Sequence, residues 1–434
     1  MTEKALPLIK DYRPEAVLIQ QGGNPITQSE FLAATSAAAE ALPDAPYLIN
    51  LCRDRYAFML AFCAALLRHR TTLLPPNRQA ATLAELAADY PGAHYLSDRE
   101  EDLPDIPGMT VSGIKAPGPA PAVPAIPADH IAAIAHTSGS TGRPEPIVKP
   151  WRTLAGTAAL LNRRFNNDAT VTPSVVATVP SQHMYGLEMT VLLALQGRAR
   201  LNSAHPFYPS DIAATLAAVP APRLLVTTPA HLRALLGSNI ELPPVAKTVS
   251  ATAPLARELA AQAEQGFGGA VEEIYGCTEA GSLATRRTTT GEPWRLLNGM
   301  RLTQGPDGLR VTGPQLPNAP LLQDHLELID DTHFRFLGRA SDTINVAGKR
   351  GSLADLTLKL LSVPGVEDAF VYLPEGARRP AAVVVSKRSE QALLKDMAAK
   401  VDPVFLPRPL RKVAAIPRNE TGKVTRELLK TLAP

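Results

Sequence analysis

The sequence predicts an α/β protein: a large N-terminal domain followed by a small C-terminal domain of different character. Three observations predict it. Short apolar runs alternate with helical patterns through the middle of the 434-residue chain, the signature of an α/β core. A hairpin pattern then interrupts the alternation at His325–Arg339. Finally, the charge balance changes. From Thr343 onward there are 16 Lys and Arg against 9 Asp and Glu, while the preceding chain carries 28 against 32. The pattern change and the charge change together place a boundary between Gly338 and Asp342, giving domains over 1–337 and 343–434 with 338–342 as a hinge.

The elements follow in order. Tyr56–Leu67 is the longest apolar run and is flanked by Arg53, Arg55 and Arg68. It is too short to cross a bilayer and predicts a buried helix. The proline-rich stretch Leu103–Pro127 predicts a surface connection, and Ile131–Ala135 a buried strand. Arg223–Thr228 predicts a strand, Pro229–Leu236 the helix after it, and Val245–Ser250 and Val271–Ile274 further strands. In His325–Arg339, Leu326 and Leu328 alternate with polar residues, Asp330-Asp331 supplies a turn, and Phe334 and Phe336 alternate again, which predicts a hairpin. Beyond it come a helix near Leu353–Leu361, strands near Ala369–Tyr372 and Ala381–Ser386, and a last helix from about Val424 to Leu432.

Composition bounds the function. Hydrophobic residues make up 45% and charged residues 20%, which suits a folded soluble chain rather than a disordered one. A net charge of +3 gives no nucleic-acid footprint. Cys52, Cys63 and Cys277 have neither metal nor disulfide spacing, as expected in a reducing cytosol. The N-terminal MTEKALPLIKDYRPE lacks the apolar core of a signal peptide. The expectation is a cytoplasmic protein with no membrane insertion.

Four segments carry chemistry. His136-Thr-Ser-Gly-Ser-Thr-Gly-Arg-Pro144 follows the strand at Ile131. Its glycines and hydroxyls offer free N–H and O–H donors at close range, a means of holding phosphate oxygens. By itself the loop reads more readily as a polar connector than as a phosphate cradle, and it lacks the Lys-Ser/Thr pair of a Walker-type loop. The others are Tyr275-Gly-Cys-Thr-Glu279, Gly338-Arg-Ala-Ser-Asp-Thr-Ile-Asn-Val-Ala-Gly-Lys-Arg350, and Pro417-Arg-Asn-Glu-Thr-Gly-Lys-Val-Thr-Arg426. In this order the four resemble the adenylate-forming, AMP-binding superfamily of acyl- and aryl-CoA or carrier-protein ligases. The resemblance covers roughly the last two thirds of the chain, with a shortened N-terminal region.

The resemblance implies a β-barrel-like portion in the large domain and a mobile α+β small domain. It also implies two chemical steps. A carboxylate attacks the α-phosphate of ATP to give an acyl-adenylate and pyrophosphate, and a thiol of coenzyme A or carrier-protein phosphopantetheine then displaces AMP. Two unit charges about 4 Å apart repel by roughly 4 kcal/mol at an effective dielectric of 20, so cations and donors must sit where charge builds up. By resemblance, Thr137, Ser138, Gly139, Ser140, Thr141 and Gly142 hold the outer phosphates. Thr252, Ala253 and Pro254 contact adenine, Tyr275 stacks on it, and Gly276 is a further nucleotide-binding residue. Thr278 meets the α-phosphate and Glu279 ligates Mg²⁺. Asp324 grips the ribose hydroxyls, with Arg339 and Arg350 as further nucleotide contacts, and Lys423 bridges carboxylate and α-phosphate. Ser341 and Asp342 match the hinge, and Gly348 the thiol passage.

His183, Met184, Tyr185 and Gly186 match the acid pocket. The ammonium-binding Asp of amino-acid-activating relatives is missing and Glu188 is out of register, so the expected substrate is a non-amino aromatic or acyl acid. His183 is either a gate or a hydrogen-bonded pocket residue. Lys349, Arg350, Arg378, Arg379, Arg411 and Lys412 are either contacts for coenzyme A or an acidic carrier protein, or a solvated basic face. Carrier loading in a fatty-acid, polyketide or aryl-polyene type of pathway is the setting the resemblance suggests. One departure stands out. Where relatives place a lysine just after the phosphate loop, this chain has Glu145, with Lys149 or Arg143 as replacements. A relative that binds nucleotide without turnover is the alternative.

Overall fold

The structure, a computed structural model, describes residues 4–101, 103, 105–114, 118, 121–137, 145–166, 171–291, 293–339, 342–346, 348–374, 376–419, 422 and 424, with Thr137 and Arg350 described in backbone only. Ser138, Gly139, Ser140, Thr141, Gly142, Arg143, Ser341 and Lys423 lie outside the described residues, as does the expected last helix beyond Val424.

Two sheets and the helices between them build the larger part. The first sheet has six strands in the order 145–150, 131–137, 71–74, 47–50, 94–97, 108–110. All its pairings are parallel except the edge pair of Glu145–Pro150 with Ile131–Thr137. The second has eleven strands. Its centre is parallel: Val17–Gln21, Arg200–Asn202, Ser174–Ala177, Arg223–Thr227, Lys247–Ser250 and Ala270–Cys277. Gly281–Arg287, Trp294–Leu296, His333–Arg339 and Asp324–Leu328 then extend it antiparallel.

The sandwiched helices show why these residues fold here. Arg55–Leu67 is apolar on nearly every face and buries Phe58, Met59, Phe62 and Leu66, as a helix covered on all sides must. Its first turn is capped by Asp54, whose carboxylate accepts from Ala57 N–H at 3.0 Å. Gln28–Ala41 starts with a reciprocal capping box between Thr27 and Glu30, which satisfies two otherwise orphaned donors. That bonding holds the Glu30 carboxyl below its usual range. Trp151–Phe165 and the buried helical run from Met184 to Gln196 complete the layer; Glu188–Leu192 within that run is a π-helical turn. One core, from Leu8 to Phe334, joins these helices to both sheets.

A separate core is built from residues between Ile344 and Leu410. It packs helices Leu353–Leu361 and Glu390–Ala398, capped by Ser352 and Ser389, against the strands Val366–Tyr372, Ala381–Ser386 and Leu410–Lys412. The expected strands and helix of this region match within three residues at the ends, as do the helix now seen at Pro229–Gly237 and the hairpin at Asp324–Arg339. The strand expected from Val245 starts at Lys247, because Val245 is a buried residue of the connection rather than a ladder residue.

The proline-rich stretch is a correction. It is not a simple surface connection: Gly108–Thr110 pairs with His94–Ser97 and Ala125–Pro127 with Ala5–Pro7. Ile106, Val111 and Ile126 are buried. Pro127, the proline inside these two strands, is tolerated because Ala125–Pro127 is a sheet edge, where a missing N–H costs no ladder bond.

Candidate active site

The parallel strands fix where a site can form. Ser174–Ala177, Arg223–Thr227, Lys247–Ser250 and Ala270–Cys277 run in one direction, so the segments after their carboxyl ends gather at one edge of the sheet. Those segments are Pro180–Gly186, Thr228, Ala251–Leu255 and Thr278–Ala280. Crevices outside the carboxyl ends of strands are where open α/β sheets bind ligands.

Each segment is held by specific bonds. Tyr185 Oη donates to the carbonyls of Thr227 and Val249, at 3.2 and 2.7 Å, locking the pocket segment onto two strand ends. Burial pushes its phenol well above the usual range, so it stays a donor. Gly186 is required by space, since a Cβ there would lie 2.0 Å from the Pro180 carbonyl oxygen. His183 precedes the helical turn Met184–Leu187 and is half-buried. Arg55, which sequence reasoning missed, is buried and donates to the carbonyls of Ala177, Val179 and Ala204 at 2.5–2.7 Å. It fastens the exits of two strands beneath the pocket.

The segment after Lys247–Ser250 is strained at one point. Thr252 has φ of +78°, a left-handed conformation that a β-branched residue seldom adopts. Glu273, buried on the next strand, accepts from Leu255 N–H at 3.1 Å and from Arg286 Nε and Thr288 Oγ1 at 2.6 Å each, fixing the end of this segment.

Tyr275 and Asp324 are brought together from 49 residues apart: Tyr275 Oη donates to Asp324 Oδ2 at 2.6 Å. The Tyr275 ring packs among Trp294, Phe334 and Phe336, with centroids 5.5–5.7 Å away, and only 8% of the residue is exposed. Burial, then the Asp324 charge, raises its phenol pKa. Arg339 stands opposite Asp324 in the hairpin register, with Nε 3.6 Å from Asp324 Oδ1. Thr278 is half-buried and Glu279 exposed at the same edge. Burial lifts the Cys277 thiol to about 12.

The C-terminal segment reaches this edge. Gly422, at φ +75°, lies so close to Thr228 that a Cβ would sit 3.1 Å from Thr228 Oγ1. Arg418 donates to the Gly422 carbonyl at 2.9 Å and pairs with Asp368, which also takes Arg233 of the helix Pro229–Gly237 at 2.9 Å. The residue before Lys423 is thus seated at the carboxyl end of a central strand.

Other expected residues are placed differently. Lys149 does not replace the missing loop lysine, because its ammonium is buried and donates to the Glu279 carbonyl at 2.9 Å. Lys349 pairs with Asp402 within the smaller lobe. Gly348 is the φ +77° residue of the turn between Thr343–Val346 and Lys349–Ser352, with open space where a Cβ would be. Asp342, immediately before the strand Thr343–Val346, is half-buried. Among the described residues no three His, Cys, Asp or Glu gather as a metal-ion group. A lone carboxylate at Glu279 beside a hydroxyl suits Mg²⁺, which keeps water and phosphate oxygens as most of its ligands.

The family described as AMP-binding enzyme matches residues 31–313. The chain belongs to it. The resemblance carried by the four motifs is borne out, and the match begins far upstream of the phosphate loop. A 4-coumarate–CoA ligase of Rhodobacter capsulatus is 32% identical over 301 residues, covering 67% of this chain and 74% of that protein. A 3,4-dihydroxybenzoate–[aryl-carrier protein] ligase of Bacillus anthracis is 23% identical over 310 residues, covering 68% and 72%. In fold, the chain matches the o-succinylbenzoate CoA synthetase of Bacillus subtilis, in complex with its acyl-adenylate, with a TM-score of 0.83 at 18% identity, covering 98% of each chain. The ATP-bound MatB of Rhodopseudomonas palustris gives 0.81 at 19% identity, covering 98% of this chain and 97% of that one. The overall architecture is therefore that of adenylate-forming enzymes, with a large N-terminal and a small C-terminal domain.

Proposed function

We propose that this member of the AMP-binding family is an ATP-dependent acid–thiol ligase. It joins a non-amino carboxylic acid to AMP, releasing pyrophosphate, and passes the acyl group to a thiol of coenzyme A or of carrier-protein phosphopantetheine. The observation that carries this reading is the convergence of Ala251–Leu255, Thr278–Glu279 and Asp324 with the Gly422 segment at one strand edge.

In this reading Thr137–Gly142 cradle the outer phosphates and Thr252, Ala253, Pro254, Tyr275 and Gly276 surround adenine. Asp324 accepts from the ribose hydroxyls, with Arg339 and Arg350 beside the nucleotide. Thr278 donates to the α-phosphate. Bound Mg²⁺, held by Glu279, would offset phosphate charge. Lys423 meets the attacking carboxylate and the α-phosphate together, easing the approach of two anions. The domains are 1–337 and 343–434, turning about Ser341 and Asp342, and Gly348 lets the pantetheine arm pass. The setting is cytosolic, in keeping with three free cysteines; no helix among the described residues is long and apolar enough to cross a membrane.

An aryl acid is favoured. Two relatives are named for 4-coumarate and 3,4-dihydroxybenzoate. The pocket segment offers His183, Met184 and Tyr185 but no carboxylate for an ammonium, since Glu188 is occupied by Ser282.

The test is acid-dependent exchange of labelled pyrophosphate into ATP across a panel of aryl and acyl acids, with AMP as the nucleotide product of the full reaction. Lys423→Ala should abolish exchange. Exchange that survives intact in Lys423→Ala, or ADP as product, refutes the reading. Acceptor choice is read by mass spectrometry with coenzyme A and with several carrier proteins.

A further inference from the structure

Two buried charges stand where the sequence pattern calls for apolar side chains. In the strand Glu145–Pro150, Val148 is 48% exposed while the neighbouring Lys149 is 0% exposed, the reverse of what an amphipathic strand does with such residues. Glu188 interrupts the run Leu187–Leu195 and is 2% exposed. It opens the π-helical turn Glu188–Leu192, a distortion that recurs at functional sites.

Both charges act on the same turn, the one following Ala270–Cys277. Lys149 Nζ donates to the Glu279 carbonyl at 2.9 Å. Glu188 Oε2 accepts from Ser282 N–H at 3.1 Å and from Ser282 Oγ at 2.5 Å. Its other oxygen presses on Gly281, where a Cβ would lie 2.4 Å from Oε1. Gly281 has φ of +76°, so both its backbone and its contact with Glu188 demand glycine. The turn is gripped at residue 279 from one strand and at residues 281 and 282 from one helix. Thr278 and Glu279 lie at or just before the first grip.

We propose that Lys149 and Glu188 are a buried positioning pair that sets the turn so that Thr278 and Glu279 face the nucleotide in a working geometry. The assignment rests on the reading of Thr278 and Glu279 given above. An ammonium is a better anchor here than a neutral donor, because a charged hydrogen bond is shorter and stronger and the carbonyl's direction fixes the peptide plane next to Glu279. Glu188 supplies the compensating charge. Burial lowers the Lys149 pKa and raises that of Glu188, and each charge opposes the shift in the other. The further charged or titratable groups acting on Lys149 are Cys277 and Glu279, both of the same turn. Neither residue of the pair is assigned contact with substrate.

Lys149→Met removes the anchor and leaves Glu188 uncompensated. The double variant Lys149→Met with Glu188→Gln also removes the anchor, but leaves no unpaired charge. Pyrophosphate exchange, melting temperature and calorimetric binding of MgATP are measured on parent and both variants. The expected result is exchange kcat at least tenfold lower in both, KM for the acid within threefold, and a melting temperature that the double variant largely restores. Binding of MgATP should weaken at least fivefold in both, with metal-free ATP less affected. Recovery of parent-like exchange and MgATP affinity in the double variant would reduce the pair to mutual charge balance and overturn the proposal. A parent that exchanges no pyrophosphate with any acid counts against the ligase reading instead. The MgATP affinities then decide the pair by themselves: a parent-like value in the double variant overturns it, and a fivefold weaker one upholds it.

Discussion

Replacing Tyr275 by Phe tests the link between the aromatic core and the nucleotide site. The ring would stay packed among Trp294, Phe334 and Phe336, so little apolar burial is lost. What goes is the 2.6 Å bond to Asp324 Oδ2. A hydrogen bond to a charged group is worth about 1.5–3 kcal/mol. The Asp324 side chain is 10% exposed, so water recovers part of that, and the lower end, about 1.5 kcal/mol, is the better figure. Arg339 is too solvated at 52% exposure and 3.6 Å to hold the carboxylate alone. If Tyr275 aims Asp324 at the ribose, the dissociation constant for ATP rises about tenfold. The assay is calorimetric titration of ATP into parent, Tyr275→Phe, Asp324→Asn and the double variant. The double-mutant cycle should show coupling of about 1.5 kcal/mol. Effects that simply add, within about 0.4 kcal/mol, refute the reasoning.

Two further outcomes follow from packing and burial. Gly186→Ala would drive a methyl group into the Pro180 carbonyl and should cost about 3 kcal/mol of stability together with acid-dependent exchange; a parent-like urea midpoint would show that the pocket segment is looser than described. His205 and His231 are held neutral by burial, each with its pKa down at about 4. Unfolded, both would charge near 6.5. Stability from this source is therefore complete above about pH 6.5 and falls as pH drops toward 4, by up to about 3 kcal/mol for each histidine. Urea midpoints measured across that range should fall with pH, and His231→Gln should flatten the slope; a slope unchanged by the substitution would remove His231 as its source.

Much of the scaffold could be read directly because its signals are local. Apolar runs marked the strands at Ile131, Arg223 and Val271, and the alternation of Leu326, Leu328, Phe334 and Phe336 marked the hairpin. Leu103–Pro127 misled because prolines suggest a linker, while the edge positions that tolerate them depend on which strands lie alongside. The motif residues Thr278, Glu279 and Asp324 were legible as chemistry, but the Tyr275 bond that orients Asp324 spans 49 residues and leaves no local pattern. Arg55, Lys149 and Glu188 were harder still. A charged residue in sequence looks the same whether it faces water or a carbonyl; their partners lie 94 to 149 positions away. For Lys149 and Glu188 the available signal was a charge interrupting an apolar stretch.

The tether of Tyr185 to two neighbouring strand ends has a consequence for anyone wishing to retune which acids are accepted. Substituting that tyrosine would disturb the scaffold before it reshaped the cavity, so gains in selectivity would arrive mixed with losses in folding. Met184, half-buried, flexible and next in line, is the cheaper dial to turn.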